Sequence, residues 1–210
     1  MEIQGLPAAE AAVLTRRVTT LSVIVAAVLI AIKFAAWSVS GSVALLASLA
    51  DSGLDLVASL VTFFAVRYAV APPDAEHRFG HGKAEAFASL TQAGLVFASG
   101  ALVGEEAIRH LIEPKPVQAE GWAMAVMAVS IVLTSGLMYA QTQVLRRTGS
   151  IAVSGDRAHY AADLASNLIA FVGIGAVALT GLTRIDAAAG LLVALWLVWG
   201  AVGDFDQHRH

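Results

Sequence analysis

The chain has 210 residues, of which 58% are hydrophobic and only 14% charged, and its net charge is −3. A soluble domain carries roughly 25% charged residues, so most of this sequence belongs where charge is penalised, and the weak net charge argues against a nucleic-acid or other polyanionic partner. Cysteine is absent; thiol catalysis, disulfides and thiolate metal sites are excluded, and any metal must be held by oxygen and imidazole nitrogen.

The polar segment 1–17 comes first, with Glu2 and Glu10 ahead of Arg16 and Arg17. The apolar run behind it is long and lacks a small-residue cleavage site, which does not fit a cleaved signal. Crossing the hydrocarbon takes about 20 mostly apolar residues, and six spans are predicted, at approximately 18–39, 43–68, 84–107, 122–145, 158–182 and 185–202. Turn-like breaks separate them, among them Ser40-Gly41, Pro72-Pro73, Pro114-Lys115-Pro116 and Thr180-Gly181. The prolines fall mainly between the runs, as helix interiors require.

Residues 18–203 therefore read as an all-α, six-helix transmembrane domain, and 204–210 as a short tail. With the N-terminus in the cytoplasm, the inside segments hold Arg16, Arg17, Arg67, Arg78, Lys83, Arg146, Arg147, Arg157 and Arg209. The outside segments hold only Arg109, Lys115 and Arg184. Basic residues favour the cytoplasmic side. Both ends are expected inside.

Charges within membrane spans are expensive and usually functional. Asp51 and Asp55 lie near the middle of the second span, and His159 and Asp163 in the inner half of the fifth. Each pair has i,i+4 spacing and so projects from one helix face. Facing each other, the two pairs would surround one point with three carboxylates and an imidazole, a set that suits tetrahedral Zn²⁺ and also accepts Cd²⁺, Co²⁺ or Fe²⁺. Three ionised aspartates in a low dielectric repel one another, so the empty site is expected to hold protons that a divalent ion displaces. Alternate opening to the two sides would make such a site a cation/proton antiporter, with His159 a candidate carrier of one proton. A lone intramembrane Asp or His can equally be a helix-packing residue; two such pairs are harder to read that way. Asn167 extends the polar stripe as a packing or supporting residue. Lys33 snorkels or pairs with an acid, and no transport role attaches to it.

A second cluster lies in the loop that runs from Pro72 to Glu85. Asp74, His77 and His81 have metal-ligand spacing, and Gly80 and Gly82 let the backbone fold around an ion. Loop histidines are also often merely solvated, and spacing alone leaves both readings open. In the tail, Asp204, Asp206, His208 and His210 alternate in the same manner, but at a chain end this reads as fraying.

At these residues the chain resembles the cation diffusion facilitator family, in particular its bacterial zinc/iron efflux branch. The resemblance is carried by Gly41-Ser42-Val43-Ala44-Leu45-Leu46-Ala47 leading to Asp51 and Asp55, by Phe79-Gly80-His81-Gly82-Lys83-Ala84-Glu85, and by His159 through Asp163. It implies a homodimer in the inner (plasma) membrane that exports Zn²⁺ in exchange for protons, without an organic cofactor. It also implies a transport site at Asp51, Asp55, His159 and Asp163, a loop metal site at Asp74, His77 and His81, and a place for Lys83 in an interface salt bridge. Family members usually continue into a cytoplasmic ferredoxin-like domain, which is expected to be absent from this sequence.

Two other functions compete. A non-transporting metal-binding partner, or a truncated regulatory form, would need the same ligands without flux. An intramembrane protease would need His-Glu-x-x-His, which is absent, or aspartates on two helices with one in a Gly-x-Gly-Asp context, whereas Asp51 and Asp55 share a helix.

Overall fold

The computed structural model describes residues 6–40, 43–71, 78, 80–112 and 121–180. Among these residues it forms five long α-helices: α1 (Ala8–Ser40), α2 (Val43–Ala69), α3 (Lys83–Ile112), α4 (Gly121–Thr148) and α5 (Ile151–Thr180). The sixth expected span lies outside the described residues. Stretches of α1, α2 and α4 are long and apolar enough to cross a membrane. Helices α3 and α5 are each 30 residues long.

Two helices begin earlier than the apolar runs do. α1 starts at Ala8 rather than near 18, and α5 at Ile151 rather than near 158. The hydrocarbon limits where charge is cheap, not where a helix must stop, so helices continue past it through Arg16, Arg17 and Arg157.

The turn between α4 and α5 is written locally. Gly149 has φ +63°, a left-handed conformation that glycine adopts without Cβ strain, and its N–H donates to the Leu145 carbonyl oxygen at 2.9 Å. This ends α4. Ser150 then caps α5, its Oγ accepting from the Val153 N–H at 3.4 Å. Only two residues separate the helices, which forces them to pack as antiparallel neighbours.

Helix α1 packs mainly on α2 and α4, and α3 packs on α5 and α2. Among the described residues the interior mixes polar groups with apolar ones, and many large apolar side chains lie outside. Thr19, Ser52, Ser59, Thr62, Gln92, Gln141 and Asp156 are buried, whereas Phe64, Phe87, Val132 and Tyr139 are exposed. A water-soluble protein buries its apolar residues instead, but lipid accepts an apolar exterior and requires polar groups to be satisfied internally. Thr15 and Thr19 do so partly by donating to the carbonyl four residues back, at 2.9 and 3.0 Å.

Small residues permit close helix contact. A Cβ added at Gly155 of α5 would lie 3.0 Å from Ser89 Cα and 3.1 Å from Ser89 Oγ on α3. Because a backbone atom is among those in the way, Gly155→Ala is expected to destabilise the fold by about 1–3 kcal/mol. Thermal unfolding followed by tryptophan fluorescence in detergent would measure the loss.

Candidate metal centre

On α2, Ser48, Ser52, Asp55, Ser59 and Thr62 recur at spacings of four and three, which marks one face of the helix. Ser52, Asp55, Ser59 and Thr62 are all buried. On α5, Asp156, His159 and Asp163 follow the same spacing. These two faces meet.

His159 Nε2 lies 3.2 Å from Asp55 Oδ1 and 3.5 Å from Asp163 Oδ2. One ligand atom from each of Asp55, His159 and Asp163 lies within 4.8 Å of the others. Ligands bound at about 2.0–2.2 Å in a tetrahedral shell are separated by roughly 3.3–3.6 Å, so a small contraction would let the three share one ion. Asp163 Oδ2 and His159 Nδ1 are buried without hydrogen-bond partners among the described residues. A carboxylate oxygen aimed into such a cluster without a donor is suited to a cation.

Asp51 does not join this cluster. It lies one turn before Asp55 but off the buried face, and its side chain is exposed. Within the loop, Asp74 and His77 lie outside the described residues. His81 is buried, with its Nδ1 3.4 Å from the Ala71 carbonyl oxygen and its ring edge-on to Tyr68 at a centroid distance of 4.3 Å. Lys83 is the first residue of α3 and is exposed.

Three polar groups take partners that the sequence does not specify. Asp156 is 1% exposed. Its Oδ2 accepts from Ser22 Oγ of α1 and Gln141 Nε2 of α4, each at 2.8 Å, and its Oδ1 from Gln92 Nε2 of α3 at 3.3 Å. Gln92 also donates to the Ala58 carbonyl oxygen and Thr62 Oγ1 of α2, both at 2.9 Å. One buried carboxylate thus ties together all five described helices, one helical turn from His159. Glu85 Oε2 accepts from Ser150 Oγ at 2.7 Å, which places an acid at the N-terminus of α5, where the helix dipole favours it. Lys33 is buried too, and among the described residues it bonds no acid: its Nζ donates to Ser52 Oγ at 2.6 Å and to the Ser48 carbonyl oxygen at 3.1 Å. The available signal was weak. A single Gln or Asp in an apolar run has no periodicity to reveal its partner.

A family profile described as the cation efflux transmembrane domain matches residues 19–203. The chain is 37% identical over 189 residues to the cation-efflux pump FieF of Klebsiella pneumoniae, covering 90% of this chain and 63% of that one. To the FieF pump of Cronobacter sakazakii it is 38% identical, with the same coverage. To that of Yersinia pestis it is 38% identical over 177 residues, 84% of this chain and 59% of the relative. The chain therefore spans about three-fifths of the length of the curated relatives it matches.

Proposed function

Since this chain belongs to the cation efflux family as a multi-pass protein of the inner membrane, we propose that it moves a divalent metal ion, Zn²⁺ first among the candidates, out of the cytoplasm in exchange for protons. The observation that carries this is the convergence of Asp55, His159 and Asp163 inside the bundle. The donor set is oxygen and imidazole with no thiolate, which fits Zn²⁺ and also admits Cd²⁺, Co²⁺ and Fe²⁺.

In this reading α2 supplies Asp55 and α5 supplies His159 and Asp163. Asp51, one turn away, is the fourth ligand in a state where α2 turns further toward α5. Carboxylates and imidazole must lose protons to bind metal, so metal entry releases protons and proton entry releases metal. Exchange follows if the site opens alternately to each side. The protein acts as a secondary transporter, not an enzyme, with both ends in the cytoplasm. His81, with Asp74 and His77, forms a second metal site, and the working unit is a homodimer with Lys83 in its interface.

The test is flux in proteoliposomes. Zn²⁺ uptake that rises with an opposed pH gradient and collapses with an uncoupler is expected. Zn²⁺ binding without flux would favour a metal-holding partner subunit instead, and neither binding nor flux would remove the reading altogether.

A further inference from the structure

We propose that Lys33 is a charge-setting residue of the cation site: its ammonium, fixed inside the bundle beside Asp55, weakens the hold on a divalent ion enough for the ion to leave. The inference rests on the metal reading above and deepens it. Lys33 is 4% exposed, and both of its hydrogen bonds go to neutral oxygens, those of Ser52 and Ser48 on α2.

Those two anchors lie on the same α2 face as Asp55. From Ser52 to Asp55 is three residues, about 4.5 Å along the helix axis. The ammonium is therefore held about one turn from a carboxylate of the cluster. An intramembrane charge with no surface to reach is a functional residue by default, and the partner here is the field of the site, not one acid.

The charge count explains what the field does. Asp51, Asp55 and Asp163 contribute three negative charges when ionised, and Lys33 one positive charge. Lys33 therefore offsets one of the negative charges that face the cation; Asp156, which accepts from Ser22, Gln92 and Gln141 one turn from His159, is not part of that set. Without Lys33 the same acids would hold the cation with one more net negative charge. Entry would remain easy, but exit would be slow. A carrier needs binding that is favourable enough to load yet weak enough to release. Lys33 does not touch the ion; it is a positioning residue acting through charge.

The experiment compares wild type, K33M, K33Q and K33R as full chains in detergent, by calorimetric titration with Cd²⁺, and then by Cd²⁺ flux in proteoliposomes. K33M and K33Q are expected to bind Cd²⁺ at least about tenfold more tightly, with KM and kcat for flux both falling. K33R, which keeps the charge, is expected to match wild type. K33Q retains a hydrogen-bonding head for Ser52 and serves if K33M does not elute as a folded species. An affinity equal to or below wild type in either folded neutral variant, or K33R behaving as they do, overturns this proposal alone. A wild type that takes up no Cd²⁺ overturns the metal reading and this one together.

Discussion

Asp55→Ala and Asp163→Ala are each expected to reduce Zn²⁺ flux by at least about a hundredfold while leaving membrane insertion intact. Even residues that only support a metal's ligands typically change affinity or activity 10- to 100-fold when replaced, and Asp55 and Asp163 stand among the candidate ligands themselves. Insertion is spared because a central acid costs about 2.5–3.5 kcal/mol to place in a membrane helix, so its removal relieves a cost. Cell-surface labelling and yield would establish insertion, and proteoliposomes the flux. Asp51→Ala separates a three-ligand from a four-ligand site: a loss equal to that of Asp163→Ala makes Asp51 a ligand in a working state, despite its exposure here. His77→Ala should have a milder effect, since His77 falls between the second and third apolar runs of the sequence and not within one.

Asp156→Ala is expected to be the most damaging substitution for stability. It removes the acceptor that Ser22, Gln92 and Gln141 share; Ser22 can turn to the Val18 carbonyl and Gln92 keeps the Ala58 carbonyl and Thr62, but one N–H of Gln141 is left buried in a medium that offers no water. The stranded donor costs roughly 1–3 kcal/mol, and the lost interhelical hydrogen bonds add about 0.6 kcal/mol each, so a loss of about 2–4 kcal/mol is expected. Asp156→Asn keeps an acceptor oxygen and should retain much of the stability. Thermal unfolding followed by tryptophan fluorescence would rank the three proteins, with Asp156→Ala lowest. Equal midpoints would mean that the network is not a structural tie.

The two i,i+4 pairs were legible because spacing alone says which side chains share a helix face, and because charge in an apolar run stands out. That α2 and α5 face one another was an expectation of the site, not of the helices, and here Asp55 meets His159 across 3.2 Å. Which of the two acids on α2 would reach the imidazole was not legible. Four residues advance a helix by slightly more than a turn, so Asp51 and Asp55 share a side only loosely. The 48-52-55-59-62 seam that decides between them consists mostly of serine and threonine, which carry no charge signal. Asp156 escaped for a different reason. It lies just before the fifth apolar run, and its partners Ser22, Gln92 and Gln141 each come from a different helix. Nothing short of the packed bundle brings them together. Lys33 stands out as a charge in an apolar run, but its anchors, one of them a backbone carbonyl, have no sequence signature.

A crystal of Zn²⁺-loaded protein, with diffraction collected on both sides of the zinc absorption edge, puts the shared-ion claim to its most direct trial. The account predicts an anomalous peak about 2.0–2.2 Å from a carboxylate oxygen of Asp55, a ring nitrogen of His159 and a carboxylate oxygen of Asp163 together. Zinc peaks confined to other positions, with those three side chains bound to no ion, would contradict it.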